Sequence, residues 1–235
     1  MKRCATDSLV NILFEDDDIL VVDKPAGMIV HPAPGHPDGT LVDALLAHCP
    51  QMRGVGSVVR SGVVHRLDQK TSGVMVFAKT DRAMRALRRD FEDHVSVRKT
   101  YLAVLHGAPE PRVGTLETLI GRKPWDPKRM AVVEQGGARA VTHWTTLKRK
   151  GTLALVEFTI ETGRTHQIRV HAAHLGHPVV GDALYGDAAK DRRLAPPPVR
   201  QLLHAVQLSF NHPVTHEPLT FAAVPPEDII YARSH

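Results

Sequence analysis

Glycine and proline recur along the entire chain and limit the length of every element that it can form. The 235 residues include 17 Gly and 17 Pro, spread through the sequence. Because Pro interrupts helices and central strands while Gly favours turns, the stretches between them are short. Aromatic residues are only 5% of the chain, but 43% of it is hydrophobic, which is enough for a substantial core. The sequence therefore predicts an α+β or mainly β globular protein rather than a helical bundle.

Short runs of β-branched or alternating residues predict the strands. These runs cover residues 12–14, 19–22, 63–64, 74–78, 100–105, 130–134, 140–147, 153–160, 206–210 and 219–222. The acidic turn at residues 16–18 predicts a hairpin between the first two runs. The four runs between residues 100 and 160 are spaced as in an antiparallel sheet, so we expect a β meander there.

Three helices are expected between these strands. The first covers about residues 40–48, and the third begins at a capping Thr165 and ends at Gly176. The second is capped by Thr80 or Asp81 and has an apolar stripe and an outward arginine face. The stripe is Met84, Leu87 and Phe91, and the outward residues are Arg85, Arg88 and Arg89.

The chain offers no clear linker and no internal repeat. We expect residues 1–10 to form a polar tail and residues 11–235 to form one domain. Residues 186–200, rich in Ala, Pro, Lys and Arg, are expected to form a surface excursion.

Charge and cysteine content restrict the partners and the compartment. Thirty Lys and Arg against 25 Asp and Glu give a net charge of +5, which suits an anionic partner. Basic groups at residues 82–89 and 122–129 could line a phosphate-bearing ligand, although a solvated basic face explains them equally well. Cys4 and Cys49 match neither metal spacing nor a disulfide framework. Without a long apolar run or a signal peptide, we expect a cytoplasmic protein that does not enter membranes.

Two groups of polar residues are candidates for chemistry. The loop at residues 62–74 places Asp68 between two predicted buried strands, where a reactive carboxylate can be held rigidly, although such an Asp is more often a turn or cap residue. His171, His174 and His177 follow at three-residue steps that fall about 60° short of a helical turn. We therefore expect no metal there.

Three motifs follow one another along the chain. They are His65-Arg-Leu-Asp-Gln-Lys-Thr-Ser-Gly73, Arg98-Lys-Thr-Tyr101 and Thr162-Gly-Arg-Thr-His-Gln-Ile-Arg-Val-His171. Together they resemble the signatures of the RluA-like family of RNA pseudouridine synthases. The likeness continues through residues 11–32, 129–132, 176–186 and 203–205, so it covers nearly the entire chain. It is closest to the branch that modifies large-subunit ribosomal RNA, without the small N-terminal RNA-binding domain of some relatives.

The resemblance implies the pseudouridine synthase fold, in which a central, mostly antiparallel sheet has flanking helices and an RNA-binding cleft. It implies isomerisation of specific uridines in structured RNA, with no cofactor and no obligate protein partner. Asp68 would be the catalytic carboxylate, Arg169 its partner, and Tyr101 the residue stacked on the uracil. Arg66 would fill the space left by a flipped base, although a phosphate contact explains it equally well. Further expected RNA contacts are His65, Thr71, Lys99, Arg164, His166, Gln167, Arg122 and Arg129.

The implied reaction needs one carboxylate, because nothing enters or leaves overall, whereas hydrolytic glycosidases usually need two. Two other functions remain open at this point. The chain could be an RNA-binding module or chaperone without catalysis, or a nucleoside or glycoside hydrolase with Asp68 as nucleophile. Ribosomal RNA is favoured over transfer RNA as the substrate, and the target uridine and the oligomeric state cannot be predicted.

Overall fold

The computed structural model describes residues 10–93, 96–123 and 125–234, of which 127–128 and 231–234 are described by their backbone alone. Most of the predicted tail, including Cys4, lies outside the described residues. The chain divides into two compact units, each made of two segments. The first unit is Met1–Arg98 with Ala205–Val224, and the second is Lys99–His204 with Pro225–His235. The expectation of one domain over residues 11–235 stays a prediction.

The described residues form ten strands and five helices, together with a 3₁₀ turn at Pro50–Met52. In chain order they are β1 (Asn11–Glu15), β2 (Ile19–Lys24), α1 (Leu41–His48), β3 (Ser72–Ala78), α2 (Asp81–Asp93), β4 (Arg98–His106), β5 (Val113–Lys123), β6 (Asp126–Val133), β7 (Ala138–Lys150), β8 (Leu153–Ile160), α3 (Gln167–His174), α4 (Ala188–Asp191), β9 (Leu203–Asn211), β10 (Pro218–Ala222) and α5 (Glu227–Ser234).

The first unit has strands in the order β1, β2, β3, β9, with β10 paired to β9, and the β1–β2, β2–β3 and β9–β10 pairs are antiparallel. The predicted hairpin between β1 and β2 is confirmed, and the Asp16 carboxylate closes it by accepting the N–H groups of Asp18 and Ile19. Helix α1 begins at Thr40 with a reciprocal capping box to Asp43. Helix α2 buries its predicted apolar stripe against β2, β3 and β9 and leaves its arginines exposed.

The second unit is a five-stranded antiparallel sheet in the order β4, β8, β7, β5, β6. Helix α3 packs Val170 against Ile120 and Ala140 of this sheet. Helix α5 is held by a bidentate ion pair between Arg200 and Asp228, with both N···O distances 2.7 Å. The predicted excursion at residues 186–200 is mostly exposed, and it contains the short helix α4.

Five features of the local structure differ from the predictions. Residues 63–64 form a single bridge from Val63 to Phe77, not a strand. Strand β5 was missed, because its half-exposed sequence with two glycines has no clean alternation. Strand β5 lies between β6 and β7, and β4 pairs with β8, so the strands are not a simple meander. Helix α3 begins after His166, which has a positive φ of 58°, and Thr165 does not cap it. Helix α5 was not predicted.

Within the part of the chain that the structure describes, no helix is both long and apolar enough to cross a membrane.

Candidate active site

The loop that carries Asp68 lies in the first unit and leads directly into β3. Asp68 is half-buried, and its carbonyl accepts the Thr71 N–H at 3.0 Å, so the carboxylate stands at the start of a tight turn. Leu67 beside it is buried, whereas Arg66 is exposed. Burial of Leu67 therefore anchors the loop next to Asp68, while the Arg66 guanidinium is exposed to solvent.

A buried lysine ties this loop to the preceding one. The ammonium of Lys24, which is fully buried, donates to the carbonyls of Pro25, Met28 and Gln69 at 2.8, 2.9 and 3.0 Å. Gly27 N–H also donates to the Gln69 carbonyl at 2.9 Å. Three carbonyls match the three donors of an ammonium group, so Lys24 fixes the backbone next to Asp68. Composition alone did not single out this lysine, because a lysine after a strand is usually exposed.

Two further loop residues face the protein. His65 Nε2 accepts the N–H of Val76 at 3.1 Å, and its ring stacks on Phe91 with centroids 4.7 Å apart. Thr71 is only 2% exposed. Both side chains therefore contact the protein itself, and their expected RNA contacts stay a prediction.

In the second unit, β4 presents Lys99 and Tyr101 on one face, two residues apart. Tyr101 is 8% exposed and lies opposite Phe158 of β8. Burial lowers the pKa of Lys99 to about 8, with a smaller contribution from the positive charge of Arg164. The Lys99 ammonium donates to the Glu161 carbonyl at 3.4 Å. Because Lys99 is only 6% exposed, a direct contact with RNA phosphate is not supported by its position.

Arg169 of α3 is held in place by Asp182. Its Nε and Nη2 atoms donate to the two carboxylate oxygens at 2.6 and 2.7 Å, and both side chains are buried. Burial raises the pKa of Asp182, but the hydrogen bonds and charge of Arg169 outweigh it, so the pKa lies below its usual value. The guanidinium carbon also lies 5.1 Å from the centre of the Tyr185 ring. Arg169 is thus a fixed, permanently charged group.

The start of α3 is organised by Gln167. Its Oε1 accepts from Thr162 Oγ1 and Arg164 N–H at 2.8 and 3.0 Å, and its Nε2 donates to Val141 O and Thr142 Oγ1 at 2.9 and 3.0 Å. These four bonds saturate a side chain that is 3% exposed. Gln167 is thus a buried residue that organises the start of α3, and its expected RNA contact stays a prediction.

Arg164 and His166, which precede Gln167 in the same motif, are more exposed than Gln167. Arg164 is exposed, and its Nε donates to the Arg139 carbonyl at 2.9 Å. His166 Nδ1 is hydrogen-bonded to the Tyr185 hydroxyl at 2.8 Å, and that hydroxyl accepts the Met130 N–H at the same distance. Asp182 and Tyr185 thus join the site, although the sequence showed them only as part of the Gly-Asp and Tyr-Gly pairs of residues 181–186.

A cavity of about 510 Å³ lies between β6, α3 and the segment 183–186. Its lining combines apolar side chains such as Met130 and Val170 with the cationic Lys123 and Arg129. Arg122, on the same hairpin, is exposed, and Arg129 is paired with Asp126 at 3.3 Å. The predicted RNA-contact residues of this hairpin therefore lie at or beside an open, basic pocket.

The histidines do not form a metal site in the described part of the chain, where no group of three or more His, Cys, Asp or Glu side chains is placed to hold an ion. His171 is bonded to hydroxyls on both sides, at 2.8 Å to Thr142 and 2.9 Å to Thr118. It is a buried structural residue.

Comparison with known proteins places this arrangement in a family. The family model described as RNA pseudouridylate synthase matches residues 18–174. Over 219 residues the chain is 48% identical to an uncharacterized RNA pseudouridine synthase of Synechocystis sp., covering 92% of this chain and 66% of the relative. Over 234 residues it is 45% identical to the ribosomal large subunit pseudouridine synthase D of Neisseria meningitidis, covering 96% and 60%. The chain thus spans less than two thirds of the length of either relative.

Solved structures agree with this result. Human RNA pseudouridylate synthase domain containing 1 matches with a TM-score of 0.75 and 28% identity, covering 96% of this chain and 87% of that one. The human domain containing 4 matches with a TM-score of 0.74 and 26% identity, covering 95% and 92%.

Proposed function

Because the chain belongs to the RNA pseudouridylate synthase family, we propose that it isomerises uridine to pseudouridine in RNA. The observation that carries this proposal is the match of the family model to residues 18–174, which contain all three motifs. The conversion breaks the C–N bond between ribose and N1 and forms a C–C bond to C5. The C5 proton is lost and N1 gains one, so the overall composition is unchanged.

We assign the catalytic carboxylate to Asp68, in the turn before β3. It assists cleavage of the glycosidic bond, either by attack on the ribose or base or by taking a proton from the ribose. The aspartate has to be ionised for this, and a guanidinium partner favours the ionised form. The motifs of the family support Arg169 as that partner, and its pairing with Asp182 supplies a rigid mount for it.

We assign Tyr101 to the uracil ring, on which its aromatic face stacks, and its hydroxyl is available for removal of the C5 proton. The target base has to leave the RNA stack before it reaches a carboxylate held in a protein loop, at a cost of a few kcal/mol. Arg66 is exposed next to Asp68, which supports its role in filling the vacated space. Arg122, Arg129, Arg164 and His166 then contribute RNA contacts.

The substrate we propose is ribosomal RNA, in preference to transfer RNA. Relatives from Neisseria, Zymomonas and Xanthomonas at 43 to 48% identity carry the name ribosomal large subunit pseudouridine synthase D. We expect the chain to act in the cytoplasm and without an obligate protein partner.

The test is Asp68→Asn. Large-subunit ribosomal RNA from cells lacking the gene is incubated with each protein, and pseudouridine is mapped at nucleotide resolution. We expect a site-specific gain with wild type and none with Asp68→Asn, whose RNA affinity and free energy of unfolding stay close to wild type, because the amide keeps the size but not the charge of the carboxylate. The matched control is Asp38→Asn, which alters an exposed carboxylate outside the three motifs.

Other outcomes would decide against this assignment. Full turnover by Asp68→Asn would remove that residue from catalysis. Tight binding without any gain on protein-free RNA or on ribosomal particles would favour a non-catalytic RNA-binding module. Release of free uracil would indicate a hydrolase.

A further inference from the structure

Trp125 stands between β5 and β6 with its side chain fully exposed, at 101% of its reference surface. The other tryptophan, Trp144, is 6% exposed and donates its Nε1–H to the Pro111 carbonyl at 3.0 Å. Trp125 also has a positive φ of 68°, which is uncommon for a bulky residue. An exposed indole on a hairpin contributes nothing to a core, so its position suggests a binding role.

The surroundings of Trp125 are basic. Arg122 and Lys123 precede it and are exposed, and Arg129 follows on β6. The single acidic side chain among residues 122–129 is Asp126, which is already paired with Arg129. An aromatic face between cationic side chains matches single-stranded nucleic acid, whose bases stack and whose phosphates pair with Lys and Arg.

Residues of the β5–β6 hairpin line the cavity of about 510 Å³ described above. Lys123 and Arg129 line the cavity together with His174 and with apolar residues of β6 and α3. Its volume is in the range of small-ligand pockets, and its mixture of apolar floor and cations suits one nucleotide. The hairpin and the cavity therefore offer adjacent places for a base and for the sugar and phosphate next to it.

We propose that Trp125 stacks on an unpaired base of the RNA that flanks the target uridine, while Lys123 and Arg129 hold the neighbouring phosphates. This inference rests on the proposed function, because it extends the RNA surface of the same enzyme. The three motifs do not include Trp125, so the contact is a binding contribution in addition to the catalytic residues.

The intact protein is titrated with single-stranded oligouridylate of about ten nucleotides, a length within the site sizes of single-strand binders, and the tryptophan fluorescence is followed. We expect quenching by oligouridylate and none of comparable size by inorganic polyphosphate, which carries charge without bases. Equal quenching by polyphosphate would overturn the stacking contact.

Three variants assign the signal. Trp125→Phe leaves Trp144 as the one tryptophan, so quenching should disappear while most of the affinity is kept. Trp125→Ala should weaken oligouridylate binding by about 5- to 150-fold, the range for one base stacked on an aromatic side chain. Val199→Ala is the matched control, since Val199 is 87% exposed in the same unit, and its affinity should stay within about twofold of wild type. Persistent quenching in Trp125→Phe, or unchanged affinity in Trp125→Ala, would refute the proposal.

The two proposals fail separately. If wild type forms pseudouridine but Trp125→Ala binds oligouridylate like wild type, the stacking contact is wrong and the proposed function stands. If Trp125→Ala loses affinity but wild type forms no pseudouridine, the stacking contact stands and the proposed function fails.

Discussion

At the residue scale, a chain of hydrogen bonds through His171 fixes its protonation. Gln167 Nε2 donates to Thr142 Oγ1, so the Thr142 hydroxyl is directed at His171 Nδ1, and His171 Nε2–H is left to donate to Thr118 Oγ1. Burial, with a smaller contribution from His174, lowers the pKa of His171 to about 4. A protonated Nδ1 would oppose the Thr142 hydroxyl, so the geometry agrees with a neutral imidazole.

This geometry predicts acid sensitivity. The pKa of His171 is about 4 in the folded protein and 6.5 in the unfolded chain, so the unfolded chain binds more protons between these values. The free energy of unfolding should therefore fall by about 2 to 3 kcal/mol more in wild type than in His171→Asn between pH 6.5 and 4. Urea unfolding across this range measures the difference.

The matched control is His36→Asn, which replaces an exposed histidine. It should follow the acid response of wild type. An identical pH response of wild type and His171→Asn would show that His171 does not resist protonation.

At the scale of elements, Gly73 allows β3 to approach β9. It has a φ of +119°, and a Cβ built there would lie 2.2 Å from the Ala205 carbonyl oxygen and 2.7 Å from its backbone nitrogen and carbonyl carbon. Those atoms are backbone, so they cannot move aside as a flexible side chain would. Gly73 lies where the loop that carries Asp68 ends and β3 begins. The packing of β3 against β9 and the position of the Asp68 carboxylate therefore depend on the same glycine.

Gly73→Ala should therefore lower the free energy of unfolding by at least about 2 kcal/mol, because it adds both a clash and a strained φ. Turnover should fall with it, since the loop before β3 is displaced. Urea denaturation and the pseudouridine assay measure the two effects. Gly163→Ala is the matched control, because the nearest atom to its Cβ is the Lys99 ammonium at 3.9 Å. Equal stability of the two variants would contradict this account of Gly73.

At the scale of the whole molecule, the three motifs are divided between the two units. The Asp68 motif belongs to the first unit and the Arg169 motif to the second, while the Tyr101 motif starts with Arg98 in the first unit and continues into the second. The exposed basic side chains are likewise distributed, with Arg85, Arg88 and Arg89 on α2 and Arg122 and Arg164 in the second unit. A net charge of +5 is modest, so local groups rather than the overall field are expected to hold RNA phosphates.

Affinity for RNA should therefore depend on salt through a small number of phosphate contacts. If three or four phosphates of a single-stranded substrate are neutralised, raising the salt from about 50 to about 200 mM should weaken binding about 20- to 50-fold. Filter binding or anisotropy at several salt concentrations gives the slope of log affinity against log salt. Affinity that hardly changes with salt would exclude phosphate contacts as the main source of binding.

Much of the fold followed from local pattern. Branched runs predicted most strands, and the stripe of Met84, Leu87 and Phe91 predicted α2 together with its buried face. Strand β5 was missed because most of its residues are exposed or only partly buried, so its pairing with β6 and β7 defines it better than any apolar pattern does. The start of α3 was misplaced because Gln167, distant in sequence from Val141 and Thr142, supplies the bonds that a local cap would otherwise make.

The sequence by itself determined the family, the order of the three motifs and the candidate residues Asp68, Tyr101 and Arg169, because these are properties of residue identity and spacing. Only the tertiary structure decided which polar residues are buried supports and which are available to a ligand. In the folded protein Gln167 and Thr71 are buried, Asp182 pairs with Arg169, and Trp125 is exposed to solvent. Burial and hydrogen bonding depend on segments far apart in the chain, so no local pattern could specify them.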